Sequence, residues 1–184
     1  ELISLDINGV FGILSSTSVD ERGSFLRVWE DANWNKHIKL SQASAAINSK
    51  ARTLRGLHFQ REPHEESKLI QCIMGSVFDV VVDLRKDSST YGKHISIQLG
   101  PKETYQGILV PKGFAHGFFT LTSNAIVNYK VDNYYSEKHE RCLNLKDKDL
   151  KLNINLLLKK SLVSKKDELG MSLKKILNNN YFKN

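Results

Sequence analysis

The sequence contains few of the residues that cross-link small secreted domains or bind structural zinc. Its 184 residues include two cysteines, Cys72 and Cys142, seventy positions apart. This number and spacing match neither a disulfide framework nor a zinc-binding motif. We therefore expect two reduced thiols that pack in the interior.

Long apolar segments are also missing. No run approaches the roughly eighteen apolar residues that a membrane-spanning helix needs. The opening stretch ELISLDINGVFG has neither the basic segment nor the long apolar block of a secretory signal. We expect a cytoplasmic protein without a membrane partner, folded as one domain over residues 1–184, since 40% hydrophobic content is ordinary for a globular chain.

The net charge of +7 is concentrated at one end of the chain. Residues 145–184 contain ten lysines and four acidic residues, spaced among Asn and Leu without the interleaved aromatics that stack on bases. The distribution favours a solvated surface over a nucleic-acid partner. An anionic small molecule remains compatible with the charge.

Apolar residues alternate with a period of two through the middle of the sequence. The strand-like segments are KLIQCIM, VFDVVVDL, HISIQL, YQGILV, FAHGFFTLT and IVNYKVDNYY, and Gly, Pro, Asn and Ser separate them. Short strands without intervening helices predict an all-β antiparallel sandwich or jelly roll. Helical spacing predicts only a short peripheral helix near residues 29–40 and a C-terminal helix over residues 167–178.

Polar residues of four strands are candidates for one inner face, because residues two apart in a strand point the same way. His58, in the further strand LRGLHFQ, shares its face with Gly56 and Gln60, whereas Lys68, His116 and Tyr129 each lie among apolar neighbours. Alternation puts Arg55 on the opposite face from His58 unless a bulge near Gly56 turns it. Any one of them alone is more simply read as a satisfied core residue, but four on separate strands favour a site.

The residue types suggest a particular chemistry. An imidazole can take a proton near neutral pH, a phenol can return one, and an ammonium group can stabilise negative charge on oxygen. Together they suit proton abstraction beside a carbonyl through an enolate. Nucleophilic catalysis is disfavoured, because neither cysteine lies in a His-paired motif and no GxSxG motif occurs. A cupin-type metal site is also disfavoured, because HFQ lacks the second histidine that it needs.

Residues 20–141 resemble the nucleotide-sugar 3,5-epimerases. The matching elements are DERGSF, LRGLHFQ, KLIQCIMGSVFDVVVDLRKDSSTYG, VPKGFAHGFF, NYKVDNYYS and HER, in the order of that family. The resemblance implies a cupin-like double-stranded β-helix (jelly roll), an isomerase of cell-surface polysaccharide biosynthesis, and no metal or redox cofactor. It also implies a homodimer in which an N-terminal arm of about residues 1–50 contacts the partner, with a helical tail over about residues 160–184.

The resemblance also implies roles for individual residues. His58 corresponds to the family's base, Tyr129 to its proton donor, Lys68 to the stabiliser of the enolate oxygen, and Asp167, in VSKKD, to the acid paired with the base. The expected contacts with the nucleotide-diphospho sugar are Arg22, Phe25, Arg27, Arg55, Gln60, Lys68, His116, Tyr135, Glu140 and Lys166.

Two departures from the family pattern concern the substrate. Arg27 replaces the family's usual acid beside the nucleotide base, and SQASAAINSKAR is one residue longer than its counterpart. Since an arginine fork favours the two acceptors of guanine, we hypothesise a guanosine-diphospho-4-keto hexose or heptose in place of a thymidine derivative. A single-carbon epimerase, a cupin ketoisomerase and a non-catalytic sugar-binding jelly roll are the alternatives.

Overall fold

The computed structural model describes residues 1–14, 17–30, 34, 36–152 and 160–179. The described residues form thirteen strands, two short α-helices and a 3-10 turn. The strands are β1 (Leu2–Ser4), β2 (Phe11–Leu14), β3 (Ser18–Asp20), β4 (Gly23–Phe25), β5 (Gln42–Asn48), β6 (Leu54–Gln60), β7 (Lys68–Met74), β8 (Val77–Asp83), β9 (His94–Leu99), β10 (Tyr105–Val110), β11 (Phe114–Thr120), β12 (Ala125–Val131) and β13 (Glu140–Cys142).

Eleven of these strands form one curled sheet with two halves. One half runs β13-β6-β11-β8-β9, and the other runs β10-β7-β12-β5 with β2 and β1 attached to β10. All the pairings are antiparallel except the single pair Tyr105↔Leu99, which joins the halves. The expected all-β, cupin-like jelly roll is confirmed. β3 and β4 form a separate hairpin whose residues are all exposed.

Three apolar layers explain why the strands are so hydrophobic. An inner cluster that includes Ile70, Val81 and Phe118 lies between the two halves of the sheet. An outer cluster packs Leu57 and other residues of β6, β8 and β11 against the C-terminal segment, and a smaller one packs Leu69 of β7 against Trp29 and neighbouring residues. Because both faces are covered, β8 reads as a continuous apolar run rather than a strict alternation. Cys72 and Cys142 are both free and buried, as expected.

The C-terminal segment differs from the single helix predicted over residues 167–178, and that prediction is wrong. The chain forms helix α1 (Lys165–Glu168) and helix α2 (Leu173–Asn178), and Ser164 and Ser172 cap their N-termini. Between them the chain leaves the helical conformation in a turn at Leu169, and Met171 pairs with Leu143 beyond the end of β13. Helical periodicity could not reveal this interruption, because the backbone hydrogen bonds of Met171 go to the sheet.

The helix predicted near residues 29–40 falls partly outside the described residues, since residues 31–33 and 35 are not described. Around them, Trp34 N–H donates to the Glu30 carbonyl and Ile38 N–H to the Trp34 carbonyl, which is helical spacing. Throughout the part of the chain that is described, no helix has the length and apolar character to span a membrane.

Candidate active site

A cleft of about 410 Å³ opens between the two halves of the sheet. β6 and β11 contribute one wall, and β7, β12 and β5 contribute the other. The residues that line it are Gln42, Ser44, Ala46, Arg55, His58, Glu66, Lys68, His116, Gly117, Tyr129, Val131, Tyr135 and Glu140. The four polar residues that alternation placed on inner faces therefore share one cavity.

A bulge in β6 brings Arg55 to the same side as His58. His58 pairs with His116, and Arg55 pairs with Phe118. From the first pair to the second the chain advances three residues along β6 but only two along β11, so β6 contains one extra residue. Gly56, with φ of 109°, provides it, and a Cβ there would lie 2.7 Å from the Cα of Gly117. The bulge thus needs glycine, and the expectation that it would turn Arg55 into the site agrees with the structure.

His58 and Asp167 form a hydrogen-bonded pair at the end of the cleft. His58 Nε2 lies 2.7 Å from Asp167 Oδ1, and Gly56 N–H donates to Asp167 Oδ2 at 3.2 Å. Burial opposes ionisation of Asp167, but the hydrogen bonds from His58 and from the Gly56 N–H outweigh it and lower the pKa of the carboxyl. Because an ionised carboxylate only accepts, Nε2 carries the hydrogen and Nδ1 is left able to accept a proton.

Cys142 of β13 lies beside this pair, with its sulfur 3.8 Å from Asp167 Oδ1. Burial, reinforced by the nearby carboxylates of Asp167 and Glu140, raises the pKa of the Cys142 thiol to about 12. The sulfur is therefore a protonated thiol at neutral pH and not a nucleophile.

The opposite wall presents Lys68, whose ammonium group is held by two acceptors. Lys68 Nζ donates to the His58 carbonyl at 3.0 Å and lies 3.2 Å from Glu66 Oε1. An ammonium group has three donors, so one remains for an oxygen in the cleft. The ion pair with Glu66 also compensates the cost of burying a lysine that is only 7% exposed.

Tyr129 of β12 lies in the same cavity near His116. Their ring centroids are 6.3 Å apart in an edge-on arrangement, and His116 Nε2 lies 2.8 Å from the buried carboxylate of Asp79. Burial, together with the negative charge of Asp79, raises the pKa of Tyr129 far above its usual value, and Arg55 offsets this only in part. The phenol is therefore protonated at neutral pH, as a proton donor must be.

Three of the expected ligand contacts form a cluster at the rim. Tyr135 donates from its hydroxyl to Glu140 Oε2 at 2.7 Å, and Lys166 makes a short ion pair with the same oxygen. Burial opposes ionisation of Glu140, but the bonds from Lys166 and Tyr135 lower its pKa. Lys166 borders a second cavity of about 420 Å³, which Arg55, His58 and Asp167 also line.

The structure does not bring the remaining expected contacts to the cleft of this chain. Gln60 is buried behind the cleft, where its amide donates to the carbonyls of His64 and Tyr134 and to Glu66. Arg22 binds Asp20 at 2.6 Å on the exposed β3–β4 hairpin. Phe25 is 70% exposed on that hairpin, and Arg27 lies 3.6 Å from Glu30. In a single chain these four residues lie away from the cavity.

Sequence reasoning missed three residues at the site: Glu66, Asp79 and Cys142. Asp79 could have been recognised from the sequence, since an acidic residue in the middle of the apolar strand VFDVVVD must be paired when it is buried. Glu66 lies in a loop, and Cys142 reaches Asp167 only through the fold, so neither could be recognised by spacing. His58, Cys142 and Asp167 are also the described residues whose donor atoms could hold a metal ion, within 4.8 Å of one another.

The arrangement offers an oriented base on one wall and an acid on the other, with an ammonium donor between them. Neither thiol is a nucleophile at neutral pH, since burial raises the pKa of both Cys72 and Cys142 to about 12. Proton removal and return beside a carbonyl is the chemistry that these groups can perform.

A family model and a curated relative carry the same description. A family model described as dTDP-4-dehydrorhamnose 3,5-epimerase matches residues 4–175. The dTDP-4-dehydrorhamnose 3,5-epimerase of Shigella flexneri is 39% identical over 168 residues, which covers 89% of this chain and 88% of that protein.

Solved structures agree in fold. The Mycobacterium tuberculosis epimerase superposes with a TM-score of 0.89 at 30% identity, covering 99% of this chain and 92% of that one. The dTDP-6-deoxy-D-glucose-3,5-epimerase of Legionella pneumophila, solved in complex with dTDP-4-keto-L-rhamnose, gives 0.85 at 29% identity, covering 95% and 93%. On the family match over most of its length, this chain belongs to the dTDP-4-dehydrorhamnose 3,5-epimerase family of isomerases.

Proposed function

We propose that this enzyme inverts carbon 3 and carbon 5 of a nucleoside-diphospho-4-keto-6-deoxyhexose. The observation that carries the proposal is the His58–Asp167 hydrogen bond of 2.7 Å at one wall of a cleft that Tyr129 and Lys68 line from the other. A base and an acid on opposite walls can act on opposite faces of a sugar ring, as inversion requires.

In the proposed mechanism, Nδ1 of His58 takes the proton from the carbon beside the ketone. The electron pair of that C–H bond forms a carbon–carbon double bond, and the carbonyl becomes an enolate oxygen. The third donor of Lys68 binds this oxygen. When the enolate collapses, its carbon takes the Tyr129 hydroxyl proton from the other face. Solvent then removes the proton from His58 and reprotonates Tyr129, so that the enzyme returns to its starting state.

The base, the acid and the ammonium group each contribute to the rate of the proposed reaction. General acid–base catalysis contributes roughly 10²–10⁴-fold, and one well-placed oxyanion donor contributes roughly 10²–10³-fold. Asp167 acts by fixing the tautomer of the base, as the carboxylate does in serine-protease triads.

Proton NMR in heavy water tests the reaction. Incubation with a nucleotide 4-keto sugar is expected to label carbon 3 and carbon 5 with deuterium and to yield the doubly inverted product. Label at one carbon only would indicate the single-carbon epimerase, and movement of the ketone would indicate the ketoisomerase. The non-catalytic jelly roll would be indicated by two results together: the wild type leaves the sugar without deuterium, and His58→Ala binds the sugar as well as the wild type does.

The proposal also concerns which nucleotide the sugar substrate carries. The Legionella pneumophila relative binds a thymidine diphosphate sugar, whereas Arg27 provides a double donor suited to guanine. We infer that Arg27 shifts the preference of this enzyme towards guanosine. Turnover of one 4-keto sugar on both nucleotides tests this, because Arg27→Glu should reverse the preference. A clear thymidine preference in the wild type rejects the guanosine hypothesis.

We also infer that the enzyme works as a homodimer in which the β3–β4 hairpin reaches the partner's cleft. The inference is supported by the exposure of Phe25 and by the distance of Arg22 and Arg27 from the cleft of their own chain. When equal amounts of inactive Arg22→Ala and inactive His58→Ala exchange subunits, each mixed dimer should regain one of its two sites, which is about a quarter of all sites in the mixture. Mixtures that stay inactive although mixed dimers form would contradict the arrangement.

A further inference from the structure

The His58–Asp167 pair and Cys142 of β13 form a cluster of three side chains. Cys142 Sγ, His58 Nε2 and the Asp167 carboxylate come from three separate elements and lie within 4.8 Å of one another. We propose that these three residues form an inhibitory binding site for a thiophilic divalent cation, of the class of Zn²⁺ and Cd²⁺.

The donor set matches this class of cation. Sulfur, imidazole nitrogen and carboxylate oxygen are all zinc ligands, and thiolate selects soft or borderline metals over Mg²⁺ and Ca²⁺, which prefer oxygen. Three protein ligands leave the fourth tetrahedral position for water. The site differs from a cupin-type metal centre, because its ligands share no sequence motif and the fold alone brings them together.

The distances require little rearrangement. Zinc bonds of roughly 2.0–2.3 Å place tetrahedral ligands roughly 3.3–3.6 Å apart. His58 Nε2 and Asp167 Oδ1 are 2.7 Å apart, and Cys142 Sγ and Asp167 Oδ1 are 3.8 Å apart. These two pairs therefore change their separation by less than about 1 Å. The Cys142–His58 pair, which lies within 4.8 Å, shortens by at most about 1.3 Å, and side-chain rotation can supply these changes.

An entry path exists through the second cavity. His58 and Asp167 both line that cavity, and the His58 side chain is 32% exposed. Cys142 is 8% exposed behind them. A cation entering this way meets the carboxylate and the imidazole first, and then the sulfur.

Binding would stop proton abstraction by removing the base. The thiol proton leaves to solvent as the sulfur–metal bond forms, and the imidazole hydrogen moves from Nε2 to Nδ1 as Nε2 binds the metal. A ring that is coordinated at Nε2 and protonated at Nδ1 has no free lone pair, so it cannot accept a substrate proton.

Cadmium titration of the metal-free enzyme tests the site without any substrate, so its result does not depend on the proposed reaction. Wild-type protein should develop the ultraviolet charge-transfer absorption of a cadmium–thiolate bond, at one equivalent. Cys142→Ser should not develop it. Cys72→Ser is the matched control, because it removes the other buried thiol, which lies on β7 in the inner apolar cluster, and it should titrate like wild type.

Inhibition provides the second readout, expressed for each variant relative to its own metal-free rate. Zn²⁺ should inhibit wild type and Cys72→Ser equally and reversibly with a chelator, Cys142→Ser should need at least ~10-fold more metal, and Mg²⁺ should have no effect. If Cys142→Ser does not fold, His58→Gln keeps the thiol and should bind Cd²⁺ at least ~10-fold more weakly. Absence of the wild-type absorption, its loss in Cys72→Ser alone, or equal zinc sensitivity of Cys142→Ser would overturn the proposal.

Discussion

Replacing Asp167 with Asn tests the orientation of the base more sharply than removing the base itself. The two carboxylate oxygens have different partners: Oδ2 accepts from Gly56 N–H at 3.2 Å, and Oδ1 faces His58 Nε2 at 2.7 Å. An amide in this place must keep its oxygen towards Gly56, because the opposite orientation would set two donors against each other. A buried unsatisfied donor costs about 1–3 kcal/mol.

The amide nitrogen then faces His58 Nε2 and donates to it. This stabilises the tautomer with hydrogen on Nδ1, which is the wrong one for proton abstraction. Loss of a correctly oriented base corresponds to the roughly 10²–10⁴-fold of general base catalysis, or about 3–5 kcal/mol in the activation free energy. We therefore expect kcat to fall by about that factor, with little change in KM, because the amide is almost isosteric.

The assay is deuterium incorporation into the 4-keto sugar, followed by proton NMR under saturating substrate. Glu168→Gln is the matched control, because it makes the same change at the next residue of α1, where the side chain is exposed. The Ser164 cap bonds to the backbone N–H of residue 167, so it survives the change. An Asp167→Asn enzyme with kcat within about threefold of wild type would refute the reasoning, since it leaves no room for the factor expected of a base.

Three further predictions concern Tyr129 and Lys68 of the cleft and the buried Asp83, which lies outside it. Tyr129→Phe should still exchange substrate hydrogen for deuterium but should form inverted product roughly 10²–10⁴-fold more slowly; equal loss of exchange and inversion would contradict a donor role. Lys68→Met should lower kcat by roughly 10²–10³-fold. It should also destabilise the fold, because the Glu66 carboxylate loses its ion pair. Adding Glu66→Gln removes that charge and should therefore restore the thermal midpoint but not the activity. Burial opposes ionisation of Asp83, yet bonds from Arg85 and nearby hydroxyls lower its pKa below 3.8. Its contribution to stability is therefore present above pH 3.8 and is lost as the pH falls below that value. Asp83→Asn should lose less unfolding free energy at pH 7 than the roughly 3–5 kcal/mol that breaking a fully buried ion pair costs, because Arg85 is 30% exposed. Its stability should also show a flatter acid limb in urea titrations, and an unchanged pH profile would contradict this.

Most strands were predictable because their apolar residues recur with a period of two and pack into the apolar layers of the sheet. The segments KLIQCIM, HISIQL and YQGILV coincide with β7, β9 and β10. The same alternation predicted that Lys68, His116 and Tyr129 would share inner faces with apolar neighbours, and all three line the cleft. Period-two reasoning succeeds here because a one-residue slip would bury the wrong face of a strand.

The sequence predicts the structure less well where contacts between residues far apart in the chain override the local pattern. The break between α1 and α2 depends on Met171 bonding to the backbone of Cys142 and Asn144, which lie far away in sequence. Gln60 has the correct parity for the cleft, but its amide is occupied by the loops behind it. The approach of Cys142 to Asp167 likewise depends on how β13 and α1 pack against β6.

The division of the site between the two halves of the sheet bears directly on inversion of a carbon centre. His58 and its partner Asp167 belong to the β6 wall, whereas Lys68 and Tyr129 belong to the β7–β12 wall. Sheets packed face to face lie about 10 Å apart, a gap that a pyranose ring can occupy with one face towards each wall. An enzyme that removes and returns protons on one face gains nothing from such a division, because one wall suffices for it. An inverting enzyme needs both walls, so the width of the gap between the halves, set by the inner apolar cluster, is itself a determinant of catalysis.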